Sequence, residues 1–87
     1  MRVLQIRRMG YRMEVDIHGM TVAEAKKALE QFLSTVPAGV MEVTVIHGCH
    51  MGNSLQKMVR TQLSHKRIAR KILSMNNGIT VLELIPR

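Results

Sequence analysis

Aromatic residues are nearly missing from this chain: Tyr11 and Phe32 stand alone, and there is no tryptophan. That scarcity argues against stacking of single-stranded bases as the main mode of recognition. Cysteine is as scarce. Cys49 by itself cannot make an internal disulfide, and it suits a reducing, cytoplasmic setting. No apolar run is long enough for a signal-peptide core or a membrane span, so no membrane partner is expected. Internal repeats and low-complexity tracts are also lacking. The most telling absence is of acid. No aspartate or glutamate lies between Glu42 and Glu83, and none precedes Glu14.

What is there is a chain of 87 residues with 46% hydrophobic content, enough for one small domain and no second. Thirteen lysines and arginines against six acids leave a formal charge of +7. The acid-free interval holds Lys57, Arg60, Lys66, Arg67, Arg70 and Lys71, and the N-terminal stretch adds Arg2, Arg7, Arg8 and Arg12. Charge segregated in this way attracts a polyanion, and nucleic acid or the ribosome surface is the commonest one in a cell. Plain solubility is the competing reading. With so few aromatics, contact through the phosphate backbone is the expected mode.

Residues 13–18 alternate, Val15 and Ile17 on one face and Glu14, Asp16 and His18 on the other, which predicts a half-buried strand stopped by Gly19. Thr21 followed by Glu24 makes a capping box, and Val22, Ala25, Ala28, Leu29, Phe32 and Leu33 then repeat at helical spacing to about Thr35, with Pro37 and Gly39 beyond. Residues 40–46 predict a short buried strand, so that strand, helix and strand form a βαβ unit with parallel strands. Asn53 or Ser54 can cap a second helix with Leu55, Met58, Val59 and Leu63 inside and Lys57 and Arg60 outside. Residues 68–75 and 79–85 read as strands joined at Asn76-Asn77-Gly78, whose residue types tolerate the positive φ of a hairpin turn. The expected order is βαβαββ: an α/β chain, more narrowly an α+β two-layer sandwich with two helices on a mixed four-stranded sheet. Residues 1–12 form either a basic N-terminal extension or an extra edge strand, and residues 13–87 the domain.

Two histidine–glycine pairs, His18-Gly19 and His47-Gly48, each fall where a predicted strand ends. If the two strands are parallel neighbours, both pairs finish at one sheet edge, the place where ligand groups gather in α/β sheets. Asp16, two residues before His18, can accept a hydrogen bond from one ring nitrogen and leave the other as a base. A polar strand end without chemistry is the competing reading. The loop from Gly48 through His50 to Gly52 leads into the second helix and offers backbone N–H groups to a phosphate. Asp16, His18, His47, Cys49 and His50 are all metal-ligand types, yet the paired spacings of metal sites are missing, so neither metal nor other cofactor is expected.

These motifs resemble the Smr domain, the small MutS-related module found at the C-terminus of the second MutS paralogue and as stand-alone proteins. Its Leu-Asp-Leu-His-Gly motif is matched by Val15-Asp16-Ile17-His18-Gly19. Its His-Gly-x-Gly motif is matched in part by His47-Gly48-Cys49-His50, where His50 replaces the second glycine and Gly52 is the nearest substitute. The resemblance runs from about residue 14 to residue 85. It implies a fold like the C-terminal domain of translation initiation factor 3, nucleic-acid binding, and in several members endonuclease activity on DNA or RNA, in some cases at stalled ribosomes, with DNA repair and ribosome quality control as the processes concerned. Asp16 and His18 inherit the residues tied to cleavage, and His47 and Gly48 a place in the second motif.

The leading expectation is therefore a nucleic-acid-binding endonuclease. Asp16 orients His18, one of His18 and His47 is the general base, and the other protonates the leaving oxygen. Gly48, His50, Gly52, Lys57, Arg60, Lys66, Arg67, Arg70 and Lys71 are the expected nucleic-acid contacts. The alternative is a non-catalytic adaptor docking on nucleic acid or the ribosome through the same basic residues. The residue pattern leaves oligomeric state and metal dependence open.

Overall fold

Thr21 and Glu24 close the capping box in both directions: the Glu24 N–H donates to Thr21 Oγ1 at 3.1 Å, and the Thr21 N–H donates to Glu24 Oε1 at 3.2 Å. Two backbone donors that the helix itself cannot satisfy are thereby paired, and helix α1 runs over Val22–Thr35. In the computed structural model the described residues are 4–48, 53–76 and 78–85. The readings that fall on Arg2, Cys49, His50, Gly52 and Asn77 lie outside them.

Around α1 the chain forms β1 (Gln5–Met9), β2 (Arg12–Asp16), β3 (Glu42–Ile46), a short helix α2 (Ser54–Lys57) that continues as a π-helical turn (Met58–Gln62), β4 (Ile68–Leu73) and β5 (Ile79–Leu84). The strands make one sheet in the order β1-β2-β3-β5-β4, with β2 and β3 parallel and every other pair antiparallel. This is the α+β sandwich and mixed sheet that the periodicity predicts, with a fifth strand: residues 5–9 pair with β2 as an exposed edge.

Alternation decides which face is covered. Met13, Val15, Val43, Val45, Leu82 and Leu84 point to the helical layer and are buried there with Ala25, Leu29, Phe32 and Leu33 of α1 and Met58 and Val59 of the π-helical turn. Burying an aliphatic side chain of this size stabilises by roughly 1.5–3 kcal/mol, so these positions hold the two layers together. The π-helical turn is a departure from the regular helix expected. Leu63 N–H reaches back five residues to the Met58 carbonyl at 2.8 Å, and the widened turn allows the consecutive Met58 and Val59 and then Leu63 all to face the core. Among the described residues no helix is long and apolar enough to cross a membrane.

Arg67, expected on the nucleic-acid surface, is 3% exposed. Its guanidinium donates to the carbonyl of Val36, the residue that ends α1, at 2.5 Å, where a cation meets the negative end of the helix dipole. It is a clamp between β4 and α1, at the end of the sheet opposite Asp16. The neighbouring segment reinforces this: His65 Nδ1 accepts from the Arg67 N–H at 3.0 Å, while its Nε2 lies 3.1 Å from Ser34 Oγ.

Candidate active site

Strand β2 ends at Asp16, whose neighbour in the parallel ladder is Ile46, the last residue of β3. One further bond, from the Ile17 N–H to the Ile46 carbonyl at 2.9 Å, carries the pairing past the strand end. The chain then turns, with the Met20 N–H returning to the Ile17 carbonyl at 3.1 Å and Gly19 at φ +80°. Asp16 and His18 do meet, but strand alternation is not the cause. Asp16 Oδ1 accepts both the His18 backbone N–H at 3.0 Å and the His18 ring Nδ1–H at 2.5 Å. A single carboxylate oxygen thus fixes the turn and the ring together.

The tautomer follows from the partner. A carboxylate oxygen only accepts, so Nδ1 carries a proton, and in the neutral ring Nε2 is the nitrogen with the lone pair. The His18 side chain is 66% exposed, against 24% for Asp16, and Nε2 has no partner among the described residues. A base held on one side and open to solvent on the other can accept a proton from a bound hydroxyl.

His47, at the end of β3, is the reverse. It is 3% exposed. Its Nδ1 lies 3.2 Å from the Gly48 carbonyl, an acceptor, so Nδ1 donates. Arg60 Nε donates to Thr80 Oγ1 at 2.9 Å, and the Thr80 hydroxyl, 2.9 Å from His47 Nε2, donates its own proton to that nitrogen. Both ring nitrogens are consumed internally. Burial, opposed by the Gly48 bond and aided by the nearby Arg60 charge, holds His47 below its ordinary pKa and keeps it neutral. The expectation that His47 exchanges protons with substrate is corrected accordingly: it is the inner support of the edge.

Gly48 links the two ends. It sits at φ +74°, and a Cβ there would lie 3.4 Å from His18 Cβ, so the second pair backs directly onto the first. The N–H groups of His47 and Gly48 both donate to the Gly78 carbonyl, at 2.9 and 3.0 Å, which ties the β4–β5 turn to the same edge. Asn76 shapes that turn by accepting the Gly78 N–H on its side-chain oxygen at 2.8 Å.

The basic segment does not form the single surface expected of it. Arg60 spends its guanidinium on Thr80 and on the Ile79 carbonyl at 3.1 Å. Arg70 pairs with Glu83 on the sheet, a contact that raises its pKa. Lys71 Nζ donates to the Leu63 carbonyl at 2.5 Å, and its pKa is lowered by burial. Lys57 and Lys66 are exposed. His50 and Gly52, the remaining expected contacts, lie outside the described residues, as does Cys49. Among the described residues no three His, Cys, Asp or Glu side chains cluster closely enough to hold a metal ion.

Thr80 and Gly78 are the site residues that motif reading overlooked. Thr80 had a signal: it shares its parity in β5 with Leu82 and Leu84, so its hydroxyl had to be buried and needed a partner. The role of Arg60 had none, because the π-helical turn that aims it is invisible to a 3.6-residue period.

A parallel βαβ unit whose two strands both end in histidine and a left-handed glycine, packed in two layers with a closing hairpin, defines a class of small α+β domain. The family model of the Smr domain matches residues 15–81. The crystal structure of the Smr domain of Thermus thermophilus MutS2 superimposes with a TM-score of 0.73 at 32% sequence identity, covering 84% of this chain and 98% of that one. No curated protein was found to match the chain. The chain belongs to the Smr domain family, whose members generally bind nucleic acid, with nuclease activity in some.

Proposed function

We infer that this chain is an endonuclease that cleaves phosphodiester bonds, on RNA in preference to DNA, with His18 as general base and Asp16 as the group that orients it. The observation that carries the reading is the Asp16–His18 pair at the exposed end of β2, with Nδ1 held at 2.5 Å and Nε2 open. On RNA, Nε2 takes the proton of the 2′-hydroxyl, and the 2′-oxygen forms a bond to phosphorus. The bond from phosphorus to the 5′-oxygen breaks, and that oxygen is protonated from solvent. The products are a 2′,3′-cyclic phosphate and a 5′-hydroxyl. Gly48 keeps the His18 side of the edge clear, and His47, Thr80 and Arg60 hold the backbone behind it.

A second reading, a binding module without cleavage that docks on nucleic acid or the ribosome, is favoured by the burial of His47, which leaves His18, among the described residues, as the one solvent-facing histidine of the edge. Labelled single-stranded RNA, duplex RNA and supercoiled DNA, each incubated with and without chelator, separate the two. Cleavage that survives the chelator and ends in a cyclic phosphate supports the enzyme. Retention of all three substrates intact, with binding preserved, supports the module.

A further inference from the structure

We propose that the β1–β2 hairpin is a nucleic-acid-binding ribbon that grips the phosphate backbone of a duplex beside the candidate active edge. The proposal rests on the reading of this chain as a nucleic-acid-acting protein, and it locates affinity where neither the family match nor the basic segment places it. The family match begins at residue 15, so β1 and the turn lie outside it.

Charge accounting leads to this hairpin. Arg67 is buried, Arg70 is paired with Glu83, and Arg60 and Lys71 are bound to internal acceptors. Of the cations expected to bind, Lys57 and Lys66 remain exposed, whereas residues 5–13 of the hairpin hold Arg7, Arg8 and Arg12 with no acid among them, the acids of the hairpin, Glu14 and Asp16, coming only farther along β2. All five residues of β1 are exposed. Arg7 is paired in register with Glu14 and so lies on the open face of the sheet, while Arg8 is paired with the inward Met13 and lies on the helical face. The ribbon therefore carries a cation on each side, which suits a backbone whose phosphates flank it on both sides. Arg7 makes no ion pair among the described residues, and Arg8 uses only Nε, on the Gly10 carbonyl at 3.2 Å. Arg12 is shared with Glu42 at 3.7 Å, and its guanidinium lies 5.8 Å from the centre of the Tyr11 ring, which is 59% exposed at the turn. A phenol held there by a cation is a further donor to phosphate.

Register sets the direction. Gln5 is the partner of Asp16, and Met9 of Arg12, so the ribbon begins at the edge that holds His18 and extends away from it. Four strand steps of about 3.4 Å carry it some 14 Å, roughly the rise of four base pairs. A duplex lying along the ribbon delivers one end of its footprint to His18.

The test compares two neutralised variants that lose the same charge: Arg7→Gln with Arg8→Gln on the ribbon, and Lys26→Gln with Lys27→Gln on α1. Affinity of the full chain for a short duplex DNA and a short duplex RNA is measured across a salt series, with circular dichroism to verify folding. The ribbon variant is expected to lower the slope of log K against log salt by about 0.9 per arginine on duplex DNA, and the α1 variant by less than half as much. The two duplexes report which helix form the ribbon fits. Equal losses in the two variants, or a ribbon variant that binds as the wild type does, would overturn the proposal while leaving the cleavage reading intact. A wild-type chain that binds neither duplex would overturn the ribbon, and cleavage of single-stranded RNA in the same preparation would still decide the parent reading.

Discussion

The ends of β2 and β3 lie side by side, and each delivers a histidine followed by a glycine with positive φ, at +80° for Gly19 and +74° for Gly48. Their histidines have opposite circumstances. His18 is turned outward on a carboxylate with one nitrogen free, and His47 is turned inward with both nitrogens bonded. The dipeptide thus specifies a backbone event, a strand ending in a left-handed turn, and the chemistry is set by what the neighbouring element offers the ring. Asp16 offers a single acceptor at the surface, whereas Thr80 and Arg60 offer a closed network beneath it.

Substitutions at the two ends should therefore fail differently. His18→Ala is expected to lower the cleavage rate by about 10²–10⁴-fold, the usual contribution of a general base, while nucleic-acid affinity stays within a few fold and the melting temperature is unchanged. Single-turnover cleavage beside equilibrium binding checks this, and a variant that cuts at the wild-type rate removes His18 from the mechanism. His47→Ala should instead cost stability, by about 2–3 kcal/mol, because it opens a cavity and takes a partner from the Thr80 hydroxyl. Urea denaturation measures it, and a loss below about 0.5 kcal/mol would contradict the closed network.

Gly48→Ala joins the two failures. A side chain at φ +74° is strained by roughly 1–2 kcal/mol, and the new Cβ, 3.4 Å from His18 Cβ, passes any backbone shift that relieves the strain to the residue whose ring Asp16 holds. Stability and cleavage should both fall, and loss of stability with cleavage per folded molecule intact would show that the glycine serves the turn alone. The smallest effect concerns acid. The folded chain holds His47 below its ordinary value, so the unfolded chain takes up the proton first. The stability this contributes is complete above about pH 6.5, the unfolded value, and is lost as pH falls toward the folded one. His47→Gln should remove that increment, narrowing the gap between wild type and variant as pH drops from 7.5 toward 5. Parallel stability curves would mean that His47 titrates normally.

Local chemistry made much of this legible in advance. The capping box placed the start of α1, and valine-rich alternation placed β3, because each depends on residues within a turn or a pleat of one another. The parallel strands and the shared edge followed from the length of the crossover. Residues 5–9 could not be assigned, since an exposed edge strand shows no burial pattern. Arg67 was misplaced for a related reason: charge predicts a surface position until a helix end supplies an acceptor, and that acceptor is thirty-one residues away at Val36. The inward direction of His47 likewise depends on Thr80, thirty-three residues on, a separation beyond any local period.

The position of β5 in the sheet bears on when the edge comes into being during synthesis. It lies between β3 and β4 although it leaves the ribosome after both of them. Until residues 78–84 emerge, the His47 and Gly48 amides lack the Gly78 carbonyl, the His47 ring lacks Thr80, and β3 has one neighbour instead of two. A nascent chain halted before that point holds Asp16 and His18 without the backbone that shapes their surroundings, and contacts this distant in sequence form late. The edge is therefore assembled by β5, so that a product truncated before it carries the motif residues without the site.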